Sequence, residues 1–131
     1  MTVGEFREGI PIVILSVYAP RLGLTLGVPF VIDTGTPRTV VSLADIGRPD
    51  EVLPQDDVVA VDEVHGISFA IVGGVLLGFS DEPATPRLFG VDALIVNKPR
   101  GSSRLGRDVL NRLQLVYNER EGLLLLSPLD E

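Results

Sequence analysis

The chain has no cysteine, no tryptophan and a single histidine, His65, among 131 residues. Without cysteine there is no disulfide framework, no thiolate metal site and no cysteine nucleophile. One histidine rules out a multi-histidine metal site within one chain, and any Ser-His-Asp arrangement would have to use His65. Basic residues are also scarce. Eleven Lys and Arg stand against 18 Asp and Glu, a formal net charge of −7. That balance argues against a nucleic-acid surface, which needs clustered positive charge to neutralise phosphates. Long apolar runs are missing too. The longest, residues 69–79, is broken by three glycines and falls well short of the roughly 20 residues that span a bilayer. Glu5 and Glu8 interrupt what would be the basic region of a secretory signal. The expectation is a soluble cytoplasmic protein with no membrane partner.

Aromatic residues make up 5% of the chain, while hydrophobic residues make up 45%, with 14 Gly and 10 Pro. Val, Leu and Ile therefore carry the core, and the pattern reads as short strands joined by tight turns. The length suits one domain with a proper core. The high apolar content suggests a subunit interface.

Residues 1–9 are polar and are expected to be frayed or partly ordered. Strands are expected over residues 10–18 (too apolar to be exposed on either face), 24–32, 39–42, 58–64, 67–79, 89–96, 114–117 and 123–126. His65-Gly66 is a tight-turn signal that makes a hairpin of residues 58–79. Gly73-Gly74 marks a possible bulge. Residues 97–104 read as a loop, and residues 108–113 as the one convincing helix, with Asp108 as N-cap or first-turn acid. Residues 127–131 read as a polar tail. The sum is all-β with one short helix and no internal repeat.

One stretch stands apart: Phe30-Val31-Ile32-Asp33-Thr34-Gly35-Thr36-Pro37-Arg38-Thr39-Val40-Val41-Ser42. An aspartate directly after three large apolar residues sits at the end of a buried strand. An ionised carboxylate is costly there unless it is hydrogen-bonded or shares its proton. One answer is an Asx turn, in which the side chain caps its own backbone. The other is chemistry.

The second answer is carried by a resemblance. Val31-Ile32-Asp33-Thr34-Gly35, followed by Thr39-Val40-Val41-Ser42, resembles the active-site strand and turn of the aspartic proteases. Leu105-Gly106-Arg107-Asp108-Val109-Leu110 resembles the segment before the C-terminal helix of their retroviral-type members, the retropepsins. The resemblance spans roughly residues 10–126, between an N-terminal polar segment (1–9) and a C-terminal tail (127–131). It implies a closed retropepsin-like β-barrel with one short C-terminal helix, assembled as a two-fold homodimer, and an aspartic endopeptidase without metal or cofactor.

Peptide hydrolysis by water needs a base to activate the water and an acid for the carbonyl oxygen. Two carboxylates sharing one proton supply both. The chain has one Asp-Thr-Gly, so the second carboxylate has to come from another copy. On this reading Asp33 of both subunits holds the water. Thr34 hydrogen-bonds across the axis, and Gly35 lets backbone approach the carboxylate. His65, Gly66 and Ile67 belong to a flap over the peptide or protein substrate. Leu105 and Gly106 pass beneath the turn, and Arg107 ties the helix region to a neighbouring loop or carboxylate.

The sequence departs from the family at Thr36, where Ala or Ser is usual, and at Pro37-Arg38, which replace an acidic pair. Two other readings remain open: a non-proteolytic domain of the same fold, serving dimerisation or peptide binding, and a small all-β ligand-binding barrel unrelated to aspartic proteases.

Overall fold

The computed structural model describes residues 2–20, 23–47, 58–62, 67–80, 86–96 and 102–129. They form eleven strands and one helical turn: β1 Thr2–Val3, β2 Glu5–Arg7, β3 Ile10–Ala19, β4 Leu24–Ile32, β5 Val40–Ser42, β6 Val58–Asp62, β7 Ile67–Ser80, β8 Pro86–Val96, β9 Ser103–Leu105, α1 Arg107–Leu110, β10 Leu113–Asn118 and β11 Leu123–Pro128. Six strands close a barrel in the order β3-β4-β9-β5-β8-β7, and β7 returns to β3 through Ser16↔Gly78, Val17↔Leu77 and Tyr18↔Leu76. Two of its pairings are parallel, β4 with β9 and β5 with β8. Strands β2 and β6 extend the sheet beyond the ring, and β1, β11 and β10 make a separate three-stranded sheet.

Closure follows from side-chain alternation along each strand. In β3, Val13, Leu15, Val17 and Ala19 point inward and are buried. They meet Val28, Phe30 and Ile32 of β4, Val75, Leu77 and Phe79 of β7, Ala93 and Ile95 of β8, and Leu105 of β9 in one core. Burying a side chain the size of Phe30 or Phe79 is worth about 1.5–3 kcal/mol. Phe79 also meets Phe89 edge to face, with centroids 5.2 Å apart. Strand β3 differs from the expectation of burial on both faces. Ile10 and Ile14 are 45% and 56% exposed, because a barrel strand has only one interior face and none of the described residues covers these two side chains on the other.

The Gly73-Gly74 pair forms a bulge. Val72 pairs with Ala93 and Val75 with Val91, so two residues on β7 stand opposite Asp92. Gly74 takes φ +72°, a conformation that suits glycine and few other residues.

Both ends of the chain are more regular than their polarity suggests. Residues 2–7, expected to fray, pair instead: Thr2 with Leu126, Val3 with Leu125, and Glu5 with Ile12. β11 continues through Ser127 and Pro128 into the expected tail, opposite Gln114 and Leu113. Sheet pairing satisfies these backbones, and local polarity carries no information about it. The helix is shorter and earlier than expected. It covers residues 107–110 with Gly106 as N-cap, and Leu113 already begins β10. None of the described helices is long and apolar enough to cross a membrane.

Candidate active site

Asp33 stands where β4 leaves the barrel. Ile32 is the last strand residue and is buried, and the Asp33 N–H donates to Leu105 O at 3.1 Å, extending the β4–β9 ladder by one bond. Beyond it the chain turns, and the Thr36 N–H returns to Asp33 O at 3.2 Å.

The Asp33 carboxylate faces outward with 26% of its side chain exposed. Oδ1 accepts the Gly35 N–H at 3.0 Å. Oδ2 accepts the Thr36 hydroxyl at 2.7 Å and Arg104 Nη1 at 3.0 Å. The Thr36 hydroxyl foremost, with the Gly35 N–H and the Arg104 guanidinium, holds the carboxyl below its ordinary pKa, and partial burial opposes them. Gly35 has little room for anything larger, since a Cβ there would lie 3.3 Å from Asp33 Oδ1. The Asx-turn geometry and the candidate catalytic geometry are thus one arrangement. The Gly35 N–H caps the side chain, and the same bond orients the carboxylate.

The turn rests on the segment that follows β9. Arg107 N donates to Thr36 O at 2.8 Å and Asp108 N to Pro37 O at 3.2 Å. Gly106 is buried directly against the turn. A Cβ there would meet Arg38 C at 2.6 Å, Arg38 O at 2.8 Å and Thr36 O at 2.9 Å. Its φ of −93° is available to any residue, so glycine is needed for space alone.

The Asp108 carboxylate accepts Thr39 N at 3.0 Å on both oxygens and the Thr39 hydroxyl at 2.7 Å, and Thr39 Oγ1 in turn accepts Gly106 N at 3.1 Å. Asp108 lies in the first turn of α1 but spends its oxygens on the buried Thr39 and on its neighbour's N–H, Val109 N at 2.9 Å. Arg107 Nη1 donates to Thr34 O at 3.1 Å. Thr34 itself is exposed, and among the described residues its hydroxyl makes no hydrogen bond.

A second buried network fixes β9. The Ser103 N–H and hydroxyl both donate to Asp45 Oδ2 at 2.7 Å, and Ser103 Oγ accepts Ser42 N at 3.0 Å. Residues 103–105 are therefore a strand between β4 and β5 rather than the end of a loop. That correction places Arg104 opposite Val31 and Val40, beside Asp33.

The structure thus gathers Asp33, Thr34, Gly35, Leu105, Gly106 and Arg107 at one end of the barrel. Of the expected flap, Ile67 opens β7 opposite Asp62, whereas His65 and Gly66 lie outside the described residues. Sequence reasoning missed Thr36 and Arg104 as partners of Asp33. Thr36 stood out only as a departure from a family pattern. Arg104 was hidden in a Pro-, Gly- and Ser-containing run, where nothing local distinguishes a strand residue from a loop residue. Among the described residues no group of three or more His, Asp or Glu could hold a metal ion.

One solved structure, that of a retropepsin-like aspartic protease from Rickettsia conorii, superposes with a TM-score of 0.57. The match covers 96% of this chain and 88% of that one, at 12% sequence identity. The fold is retropepsin-like. At that identity the likeness speaks for the fold alone, and it agrees with the closed six-stranded barrel and the near absence of helix. No family profile and no curated protein matches the sequence. Within a retropepsin-like fold, chemistry has to be argued from the site itself.

Proposed function

We propose that the protein is an aspartic endopeptidase acting as a homodimer, with one Asp33 from each subunit. The observation that carries this reading is the Asp33 carboxylate. It is part-exposed at the end of a buried strand, oriented by Gly35 N and Thr36 Oγ1, on a turn laced to residues 105–108. Such a carboxylate is positioned to polarise a water. One carboxylate cannot be acid and base in the same step. Among the described residues the nearby Asp45 and Asp108 are committed to Ser103 and Thr39. The partner therefore comes from a second copy.

Across a two-fold axis the two Asp33 groups share one proton, because like charges a few ångströms apart cannot both ionise freely. The ionised one takes a proton from the water as it attacks the peptide carbonyl. The protonated one donates to the carbonyl oxygen, and collapse of the tetrahedral species returns a proton to the leaving amine. Exposed apolar side chains such as Val3, Ile10 and Ile14 support association of two copies. On this reading Ile67, which opens β7, belongs with His65 and Gly66 to a flap that closes over the bound peptide.

The test is cleavage of a diverse peptide pool with and without a transition-state-mimicking aspartic protease inhibitor. Inhibitor-sensitive cuts are expected from the wild type and none from Asp33→Asn, with fold and dimer retained. Cuts that persist in Asp33→Asn would remove the assignment. A dimer that binds peptides and never cuts would support the peptide-binding module instead.

A further inference from the structure

Among the described residues Arg104 is the one cation on Asp33, and no step of peptide hydrolysis calls for it. Its neighbours Ser103 and Leu105 are both fully buried, so alternation along β9 sends Arg104 out of the barrel to the open side that Asp33 faces. Half of the side chain, 48%, is exposed. A guanidinium carries five N–H donors in a planar fork. One is used, Nη1 on Asp33 Oδ2, and among the described residues the others have no partner. Strand β9 is held on both sides, by β4 and β5, and pinned by the Ser103–Asp45 network. The stem of Arg104 is therefore fixed, while its head spends one N–H on Asp33 and keeps the others open.

This arrangement conflicts with a resting dyad. Two Asp33 and two Arg104 about an axis are neutral with both carboxylates ionised, and hydrolysis needs one of them protonated. A second carboxylate arriving with the substrate would resolve the conflict. It matches the free fork geometrically, and it draws the guanidinium from Asp33 so that the dyad can take up its proton from solvent.

We propose that Arg104 determines specificity by binding a carboxylate of the substrate, an Asp or Glu side chain close to the scissile bond, and that this contact releases Asp33 for catalysis. The proposal rests on the peptidase reading of the same site. Peptides with Lys or Arg at that position would be repelled. Peptides with an apolar residue there would leave the guanidinium on Asp33.

The experiment compares wild type, Arg104→Leu and Arg104→Gln against one proteome-derived peptide pool, with two readouts. These are cut sites by mass spectrometry and retention of the same peptides on the immobilised, inhibitor-free protein. Because Arg104 is exposed, both variants should fold, which a thermal melt checks, and the Gln variant keeps a polar side chain without the charge. Wild-type cuts are expected to be enriched roughly 10- to 100-fold for Asp or Glu near the scissile bond, the range for a hydrogen-bonded charge pair. Both variants should lose the enrichment. Wild-type cuts indifferent to acidic residues would overturn the proposal and leave the peptidase reading standing. If nothing is cut by any form, the peptidase reading fails. Retention then decides on the Arg104 contact alone: preferential retention of acidic peptides by wild type and not by the variants upholds carboxylate binding while the catalytic release falls with the peptidase reading, and equal retention overturns both.

Discussion

Gly106→Ala tests whether the turn bearing Asp33 is held by close backbone contact. The added methyl has no space, with backbone atoms of Arg38 and Thr36 at 2.6, 2.8 and 2.9 Å from its position. None of these is the far end of a flexible side chain. To relax to ordinary contact near 3.5 Å, the segment around Gly106 and residues 36–38 must separate by several tenths of an ångström. Four hydrogen bonds resist: Gly106 N to Thr39 Oγ1, Arg107 N to Thr36 O, Asp108 N to Pro37 O and Asp33 N to Leu105 O.

Overpacking a rigid core costs about 1–3 kcal/mol, and a site bounded by backbone belongs in the upper half of that range. With about 2.1 cal/mol/K of unfolding entropy per residue, a chain of 131 residues loses about 3–4 °C per kcal/mol. The expected fall in Tm is therefore roughly 7–11 °C. Peptidase activity should fall further than stability explains, because displacing Thr36 moves the hydroxyl that orients Asp33 Oδ2. The assay is thermal unfolding beside Gly90→Ala. That control adds the same methyl on β8 with its nearest neighbour at 3.7 Å, and it should stay within about 0.5 kcal/mol of wild type. A Gly106→Ala protein melting within a degree or two of wild type would refute the reasoning.

Asp108→Ala should destabilise by about 1–3 kcal/mol for each of the two Thr39 donors it strands, whereas Asp108→Asn, which keeps an acceptor oxygen, should recover part of the loss; chemical denaturation of the pair checks this. Thr36→Val should move the Asp33 carboxyl back up toward its ordinary pKa, read by carbon-13 titration, and an unmoved titration would remove Thr36 as the chief cause of the shift. Because folding lowers that pKa, the stabilisation is full above the unfolded value and is lost as pH falls through the folded one. Asp33→Asn should therefore flatten the acid side of the stability–pH profile, measured by urea unfolding at a series of pH values.

The two-residue periodicity of the sequence was enough for an all-β fold, since inward positions such as Val13, Leu15 and Val17 alternate in the chain itself. The Gly73-Gly74 bulge was legible for the same reason, since its cause lies in the residues that form it. Asp33 was legible because a carboxylate after an apolar run is a local anomaly, and Gly35 and Thr36 complete its geometry within three residues.

What the sequence could not disclose depends on residues far apart. Asp108 meets Thr39 across 69 positions, Arg104 meets Asp33 across 71, and Ser103 meets Asp45 across 58. No local pattern encodes those pairings, so Asp108 read as a helix cap and Arg104 as part of a loop. Likewise the terminal strands take their order from partners at the opposite end of the chain. The sequence by itself determined which residues turn inward and where one carboxylate leaves the core. Only closure of the barrel, by setting β9 between β4 and β5, decided what that carboxylate touches: a threonine, a glycine N–H and an arginine whose charge it must share.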